Sequence, residues 1–486
     1  MEEAEMTGKR AKSRLFWWWI TLVVAALLAA GILGWREYRR AALISQSVPK
    51  RPDLGAAAAE LRDRVTEANH RAIDGPNREG AMVELAQLYH SNGYLPEAQA
   101  CLRCLLQIEP TNPRWKYRYA LIVSGFGEAN QAVSLLRRTI ELAPDYLPAR
   151  LRLGEILLKN GRLKDAIAVF DAVQAKEPDE PYSLLGLARC DMDQELWTEA
   201  RQKLERVVAA TDFALGYDLI VPVYEHLGLN DKAAAIRGRM KAWGAFRDVA
   251  DPWIEDLNAD SYDAFQLSVA AGALKVRGDK QGSRQLLERA VRLSPRNAAL
   301  HFQFALQLLD LSELGKARTE LELCTRLDPT FADGWAYLSG VVSTLGDAAG
   351  AQRVFAQGLA HCPDSPGLHR MNAKQLQAQG RIDEAIKEYR EAIRLRPTEA
   401  DPHIELGMAL FTANRAEEAI NEFYLALEAE PENPLVLSTL AFNTITIGDE
   451  AAARQWLVRI RNQPRVVAGD VEQLVLAFQQ KFGHTP

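Results

Sequence analysis

A proline recurs every 34 residues along most of the chain, and small and large apolar residues hold fixed places before it. A small residue lies 12 positions before each of these prolines, a large apolar residue 8 positions before it, and a second small residue 24 positions before it. In six units a glycine stands near the midpoint. The prolines form two runs, Pro110, Pro144 and Pro178, then Pro295, Pro329, Pro363, Pro397 and Pro431. This pattern predicts a repeated structural unit.

Each place in the pattern has a physical reason if the unit consists of two packed helices. Helices of about 12 residues that cross closely need small side chains at the contact and large ones beside it. The midpoint glycine ends the first helix and the proline ends the second. The stretch GRIDEAIKEYREAIRLRP, residues 380–397, is then the second half of one unit. Helix-forming residues dominate and β-branched runs are scarce, which also favours an all-α protein.

The 34-residue period, with its small, large and proline places, resembles the tetratricopeptide repeat (TPR). The resemblance implies an all-α fold, a TPR superhelical solenoid of helix-turn-helix repeats. The unit at residue 215 is degenerate. Eleven units start at residues 79, 113, 147, 181, 215, 264, 298, 332, 366, 400 and 434.

Residues 249–263, VADPWIEDLNADSYD, exceed the 34-residue spacing and are interpreted as a break between two arrays. Asp256, Asn258 and Asp260 alternate as they do in a calcium loop. The Gly and Glu that an EF-hand needs at its sixth and twelfth places are missing. We therefore interpret the segment as a solvated acidic linker.

An apolar stretch of 20 residues near the N-terminus, FWWWITLVVAALLAAGILGW at 16–35, is long enough to cross a membrane as one helix. Tryptophans mark both of its ends, as in an aromatic belt. A cleaved signal peptide is the alternative, although its apolar region is shorter and three arginines follow this one closely. We expect an uncleaved anchor. Small pairs such as Ala25 and Ala29 would let two anchors self-associate.

The predicted organisation follows from these segments and from a capping helix at each end of the repeats. In order, it consists of a basic tail at 1–15, a transmembrane helix at 16–35, a linker at 36–53, a capping helix at 54–78, a first array of about five repeats at 79–248, an acidic break at 249–263, a second array of about six repeats at 264–467, and a capping helix at 468–486.

Charge is unevenly distributed along the chain. Residues 1–51 carry nine Lys or Arg and four Glu, a net charge of +5, so residues 52–486 must sum to −11 for the total of −6. An acidic body argues against nucleic acid as a partner, and basic flanks around an apolar stretch suit a membrane surface. Because the flanking positive charges are nearly balanced, they do not fix the orientation. From the habit of N-terminal anchors, we expect a single-pass protein of the inner (cytoplasmic) membrane with periplasmic repeats.

The sequence offers little chemistry that points to catalysis. It contains no nucleophile elbow, zinc-protease motif, P-loop or dinucleotide fingerprint. Cys101 and Cys104 have redox-motif spacing but lie mid-helix, which favours buried free thiols. His301, His369 and His403 share the fourth place of their repeats, which predicts packing or a contact between repeats. We expect no enzymatic activity, no cofactor and no metal.

The remaining candidate for function is a surface. In TPR proteins, places 2, 5, 9, 12 and 13 of each repeat's first helix line a concave groove in which peptides lie. We call these the groove places. In the second array the resemblance implies partner-binding roles for Phe302, Leu306, Arg370, Lys374, Ile404, Met408, Phe411 and Phe442. An apolar stripe with one cationic pair suits a peptide with hydrophobic anchors and an acidic group.

Two functions fit these features. The first is a non-catalytic, membrane-anchored scaffold or adaptor that binds protein or peptide partners in its groove, in the assembly of membrane or envelope complexes. The alternative is a regulatory or accessory subunit of a membrane-associated enzyme, for example in glycan or envelope biosynthesis.

Overall fold

All regular secondary structure in the described part of the chain is helical, which confirms the all-α prediction. The described residues up to Leu293 form one compact unit, and those from Ser294 onward form a second one. We call these the first unit and the second unit. The computed structural model describes residues 27–55, 58–211, 213–240, 249–431, 433–461 and 468–486.

The predicted basic tail and the first part of the predicted transmembrane helix, residues 1–26, lie outside the described residues. The described chain begins with a helix over 27–47, α1. Leu27 and Ile32 on this helix are 68% and 60% exposed, whereas Ile44 is 2% exposed and packs in the core of the first unit. Within the described ranges, no helix combines the length and the apolar character that crossing a membrane requires. The anchor at 16–35 stays a prediction.

The first unit is built from helix pairs that follow a preceding helix, α2 (Ala59–Asp74). A short helix, α13 (Pro252–Glu255), and a 3₁₀ helix (Asp256–Asp260) interrupt the pairs. The pairs in its described residues are α3 (Arg78–Ser91) with α4 (Leu95–Ile108), α5 (Pro113–Gly125) with α6 (Ala129–Leu142), α7 (Leu147–Lys159) with α8 (Leu163–Gln174), α9 (Pro181–Asp193) with α10 (Trp197–Ala210), α11 (Ala214–His226) with α12 (Asn230–Met240), and α14 (Ala264–Val276) with α15 (Lys280–Leu293).

The second unit continues the same arrangement and closes with a further helix, α26 (Ala468–Phe482). In both units the first helix of each pair begins within one residue of the start that the sequence predicts. The pairs in the described residues of the second unit are α16 (Ala298–Asp310) with α17 (Leu314–Leu327), α18 (Ala332–Thr344) with α19 (Ala348–His361), α20 (Pro366–Ala378) with α21 (Ile382–Leu395), α22 (Ala400–Thr412) with α23 (Ala416–Ala429), and α24 (Pro434–Ile447) with α25 (Glu450–Arg461).

The turn inside each pair needs a left-handed backbone conformation. All six glycines that the sequence pattern placed at these turns have positive φ, for example 70° at Gly161 and 77° at Gly380. Three pairs lack a glycine there, and Glu195, Ser312 and Asn414 take up φ values of 61°, 60° and 59°. Because a Cβ atom disfavours this region, these three positions carry local backbone strain.

The small and large places of the pattern meet inside each pair, as the packing of two helices requires. A Cβ atom added to Gly154 would lie 2.5 Å from the ring of Phe170, and one added to Gly407 would lie 2.6 Å from the ring of Phe423. Both phenylalanines are almost fully buried. In these two pairs the sequence pattern therefore encodes an approach of the two helices so close that it leaves no room for a Cβ atom.

Candidate functional site

The N-terminal end of the predicted surface in the second unit is an aromatic cluster. Phe302 and Leu306, at places 5 and 9 of α16, are half-buried. The Phe302 ring centroid lies 5.0 Å from that of Phe331 and 5.4 Å from that of Tyr337. Tyr337 is 43% exposed and was not selected from the sequence, because it lies at place 6 of its repeat. The cluster therefore reaches solvent partly through a residue outside the groove places.

The predicted cationic pair is neutralised by the next repeat. Arg370 contacts Glu405 with its Nε at 2.6 Å and contacts Asp401 with its Nη2 at 2.9 Å. The Lys374 Nζ lies 2.8 Å from Glu405 Oε1. Two cations thus face two carboxylates, and the hydrogen bond to Glu405 raises the pKa of Arg370. The charge of the pair is thus balanced within the chain, and its role in binding an acidic group stays a prediction.

The C-terminal end of the predicted surface exposes apolar side chains. Met408 and Phe442, at place 9 of α22 and α24, are 45% and 50% exposed. Leu435, at place 2 of α24, is 53% exposed and was missed, although its place in the repeat could have identified it. Ile404 is 4% exposed and belongs to the core, against which the half-buried Phe411 packs. A partner can thus reach Met408, Leu435 and Phe442 but not Ile404.

The fourth-place histidines join consecutive repeats, which confirms the predicted contact. The Nδ1 atoms of His301, His369 and His403 lie 2.6–2.7 Å from a glutamate carboxylate oxygen of the paired helix. Their Nε2 atoms lie 2.9–3.1 Å from the carbonyl oxygen of the preceding repeat's final proline. Only a protonated ring donates to both acceptors. The hydrogen bond to glutamate accordingly raises the pKa of each histidine.

The cysteines and acidic residues offer no reactive centre in the part of the chain that the structure describes. Cys101 and Cys104 are free and buried, as predicted, and burial raises the pKa of both thiols. Among the described residues no group of three or more His, Cys, Asp or Glu is placed to hold a metal ion.

The segment interpreted as a solvated linker is in fact docked on the repeats of the first unit, to which it belongs. Asp251, Leu257 and Ser261 are 5%, 7% and 3% exposed, so that interpretation is wrong. The physical reason is that the acidic and aromatic side chains of the segment find partners far away in sequence, which the repeat pattern does not indicate. We call residues 251–262 the docked segment.

Asp251 at the start of the docked segment is held by two tyrosines. The Tyr146 hydroxyl donates to Oδ1 at 2.5 Å, and the Tyr117 hydroxyl donates to Oδ2. The Tyr146 oxygen also accepts a hydrogen bond from the backbone N–H of Trp253 at 3.1 Å. Burial raises the pKa of the Asp251 carboxyl, and the two tyrosine hydrogen bonds act in the opposite direction. The tyrosines thus compensate part of the cost of burying a carboxylate.

Trp253 contacts the side chains around Asp251 with its ring and the neighbouring Arg118 with its carbonyl group. Its ring stacks on Tyr146 with centroids 3.6 Å apart and meets Tyr117 edge-on at 5.7 Å. Its carbonyl oxygen accepts from Arg118, from Nε at 2.9 Å and from Nη2 at 2.6 Å. Arg118 is only 1% exposed, and burial lowers its pKa to about 10, so the guanidinium remains charged at neutral pH.

The rest of the docked segment is tied down by ion pairs along the first unit. The Asp256 carboxylate lies 3.1 Å from Nη1 of Arg114, and the Asp260 carboxylate lies 2.9 Å from Nη1 of Arg64. The Tyr262 backbone N–H donates to the Asn92 side chain at 2.6 Å. The segment therefore makes contacts with α2, with the end of α3 and with α5.

Several residues that receive the docked segment occupy groove places. Arg114 and Tyr117 are places 2 and 5 of the repeat that begins with α5. Ser91, which donates to the Asp260 carbonyl at 2.9 Å, is place 13 of the repeat before it. The face that the resemblance assigns to partner peptides is thus occupied in the first unit by the chain itself.

The helix pairs define a helical-repeat protein with a scaffold-type, protein-binding fold. Family models described as tetratricopeptide repeat match residues 125–184 and 370–434. A TPR repeat-containing protein of Pseudomonas aeruginosa is 34% identical over 74 residues, which cover 15% of this chain and 70% of the relative. The chain belongs to the tetratricopeptide repeat family.

Longer matches are more distant. Cellulose synthase operon protein C of Pseudomonas fluorescens is 21% identical over 480 residues, covering 85% of this chain and 36% of the relative. The crystal structure of yeast Tom70 matches with a TM-score of 0.38 and 14% identity, covering 83% of this chain and 96% of Tom70. The chain spans 19% to 28% of the length of several other curated relatives.

Proposed function

We propose that the protein is a non-catalytic scaffold that captures a protein partner on the groove face of its second unit. The groove face of a unit is the surface that its groove places form. The observation that carries this proposal is the exposure of Met408, Leu435 and Phe442, which are 45%, 53% and 50% exposed at groove places of α22 and α24. Apolar side chains exposed at equivalent places of successive repeats favour a partner with apolar anchors.

The balanced charge of this surface indicates which kind of side chain the partner uses to bind it. Arg370 and Lys374 are paired with Asp401 and Glu405, so the surface offers little net charge to an acidic group. We therefore infer that the partner binds through apolar side chains. The neutral ion-pair cluster beside the exposed apolar residues orients the partner more than it adds to the binding affinity.

Replacement of the exposed residues tests this proposal. In the variant Met408→Asp with Phe442→Asp, capture of the partner in native membranes should fall at least tenfold, because both anchoring contacts acquire a charge. Val458→Asp is the matched control, since Val458 is 58% exposed on the second helix of a pair. Equal capture by the folded double variant and the wild type would contradict the proposal.

We further propose that residues 16–35 anchor the scaffold in the inner membrane with the repeats on the periplasmic side. The apolar length and the basic flanks support an anchor, which would concentrate the scaffold near membrane-bound partners. Protease added to intact spheroplasts should digest a tag placed after Pro486. Protection of that tag, with cleavage on lysis, would place the repeats in the cytoplasm and contradict this orientation.

A second candidate function is that of an accessory subunit of a membrane-associated enzyme in glycan or envelope biosynthesis. The similarity to proteins named as cellulose synthase operon protein C, which extends over 85% of this chain in one case, favours it. The partner captured through Phe442 would then be a component of such an enzyme. Identification of the captured protein by mass spectrometry distinguishes the two candidates.

A further inference from the structure

We propose that the groove face of the first unit is a binding site for an acidic peptide segment that carries a tryptophan, and that the docked segment is a built-in competitor for this site. The partner would present a carboxylate to Tyr117 and Tyr146 and an aromatic ring to Tyr146, as Asp251 and Trp253 do within the chain. This inference concerns a different face from the one proposed above and does not depend on it.

The docked segment is an addition to the repeats. Pro178 and Pro295 are 117 residues apart, which is three periods of 34 residues and 15 more. The small and large places of the repeats at 79, 113 and 147 are filled by their own residues, and Trp253, Ile254 and Tyr262 of the segment pack against this core as partly buried side chains. The face beneath the segment is therefore a surface of a repeat array that has its own packed interior.

The side chains beneath the segment are those of a peptide site. Arg118 donates twice to a main-chain carbonyl, a group that every peptide offers, while the two tyrosine hydroxyls select a carboxylate. Tyr at place 5 followed by Arg at place 6 occurs in the repeat at 113 and in no other predicted repeat. Places 5 and 6 differ from repeat to repeat, so this pair gives the repeat at 113 its own set of hydrogen-bond donors.

Charge complementarity identifies the class of ligand. Residues 249–263 contain five Asp or Glu and no Lys or Arg. On the first unit, Arg64, Arg114 and Arg118 contact this segment. If the segment left, Arg114 and Arg118 would lose these contacts while Arg64 would keep its ion pair with Glu84, so an acidic segment complements the positive charge that would become exposed.

An open cavity adjoins the start of the docked segment. Val249 and Ala250 line a cavity of about 660 Å³, together with Tyr182, Phe213 and Arg277. A tethered segment competes at an effective concentration on the order of millimolar, so it would lower the apparent affinity of a partner without abolishing binding.

The direct test uses the full chain in detergent and a fluorescein-labelled peptide with the sequence DPWIEDLNADSY. Opening the face with Asp251→Asn and Trp253→Ala should increase the affinity for this peptide at least tenfold over the wild type. In the opened chain, Arg118→Gln should reduce the affinity at least tenfold. Arg137→Gln is the control, because Arg137 is 54% exposed on α6. An opened variant that is folded but binds no tighter than the wild type would overturn the proposal.

Hydrogen exchange on the wild type keeps the proposal testable if the opened variant does not fold. Excess labelled peptide should speed exchange of the amides of residues 253–262 while the amides of α5 and α7 stay protected. The same peptide carrying Asp251→Asn and Trp253→Ala should have no effect. If the segment stays protected at saturating peptide, or if α5 and α7 lose protection with it, the segment is a fixed part of the fold and the proposal is wrong.

Discussion

The cations on the groove faces of the two units are neutralised by carboxylates from different parts of the chain. In the first unit, Arg114 and Arg64 are paired with Asp256 and Asp260 from an added segment that covers the face. In the second unit, Arg370 is paired with carboxylates of the next repeat, and apolar side chains beside it stay exposed. One repeat architecture therefore yields a covered polar face and an open apolar face, depending on where the balancing acids are placed.

The largest expected difference between the faces comes from removing an aromatic ring from each. Trp253→Ala should weaken docking of the segment by roughly 2–3 kcal/mol, because the stacking contact with Tyr146 is lost. Amides of the segment should then exchange about 30-fold to 160-fold faster. Phe442→Ala should change the stability of the second unit by less than about 0.5 kcal/mol, since the ring is half exposed. Similar effects of the two changes would remove the contrast between the faces.

The units should also respond in opposite directions to pH. Folding raises the pKa of His301, His369 and His403 above the ordinary value of 6.5. Their contribution to the second unit is therefore complete below 6.5 and is lost as the pH rises through the raised values. Burial lowers the pKa of His90 in the first unit to about 4, so its contribution is lost as the pH falls from 6.5 toward 4.

Thermal unfolding that resolves the two units checks the response of the second unit between about pH 6 and about pH 8.5, and the response of the first unit between about pH 6.5 and about pH 4. The second unit should become less stable toward the upper end. A control variant with His301→Gln, His369→Gln and His403→Gln should show a flatter dependence, because Gln does not titrate. Equal slopes for this variant and the wild type would contradict the role of these histidines.

A smaller effect is expected from removing a carboxylate that neutralises the cationic pair of the second unit. Glu405→Gln removes the carboxylate shared by Arg370 and Lys374, so the cluster changes from neutral to a charge of +1. The affinity of this face for an acidic peptide should rise about threefold at low salt, and the gain should disappear at high salt. Fluorescence anisotropy measures it, and a gain that is insensitive to salt would show that charge is not the cause.

The smallest expected effects concern the turns. Glu195→Gly in the first unit should stabilise it by up to about 1 kcal/mol, because glycine removes the strain of a positive φ. Asn414→Gly in the second unit should gain less, since Asn tolerates this conformation better than Glu. Chemical denaturation measures both changes, and a loss of stability from Glu195→Gly would mean that its side chain makes a contribution larger than the strain.

The sequence was most informative where a feature repeats. The glycine turns, the helix starts and the contact of the fourth-place histidines follow from local rules that each unit obeys again, so errors in one unit are corrected by the others. The packing of Gly407 against Phe423 is encoded in the same way. Periodicity thus predicts the repeats and the interior of each pair.

Contacts that occur once could not be predicted in this way. Asp251 pairs with Tyr117, which lies 134 positions away, and with Tyr146, which lies 105 positions away, and no period relates these residues. The burial of Ile404 and the pairing of Arg370 with Glu405 depend on how one repeat packs on the next. The pairing with Glu405 could have been predicted from the sequence, because an acidic residue at place 6 of the following repeat stands opposite the cationic pair.

Photo-crosslinking from both faces of the full chain in native membranes tests the central contrast most directly. Arg114 on the first face and Phe442 on the second would be replaced, in separate chains, by p-benzoylphenylalanine. We expect the probe at 114 to crosslink within the chain to residues 251–262 and the probe at 442 to crosslink to another protein. Crosslinks from 114 to other proteins without any to the segment, or internal crosslinks alone from 442, would contradict a covered first face and an open second face.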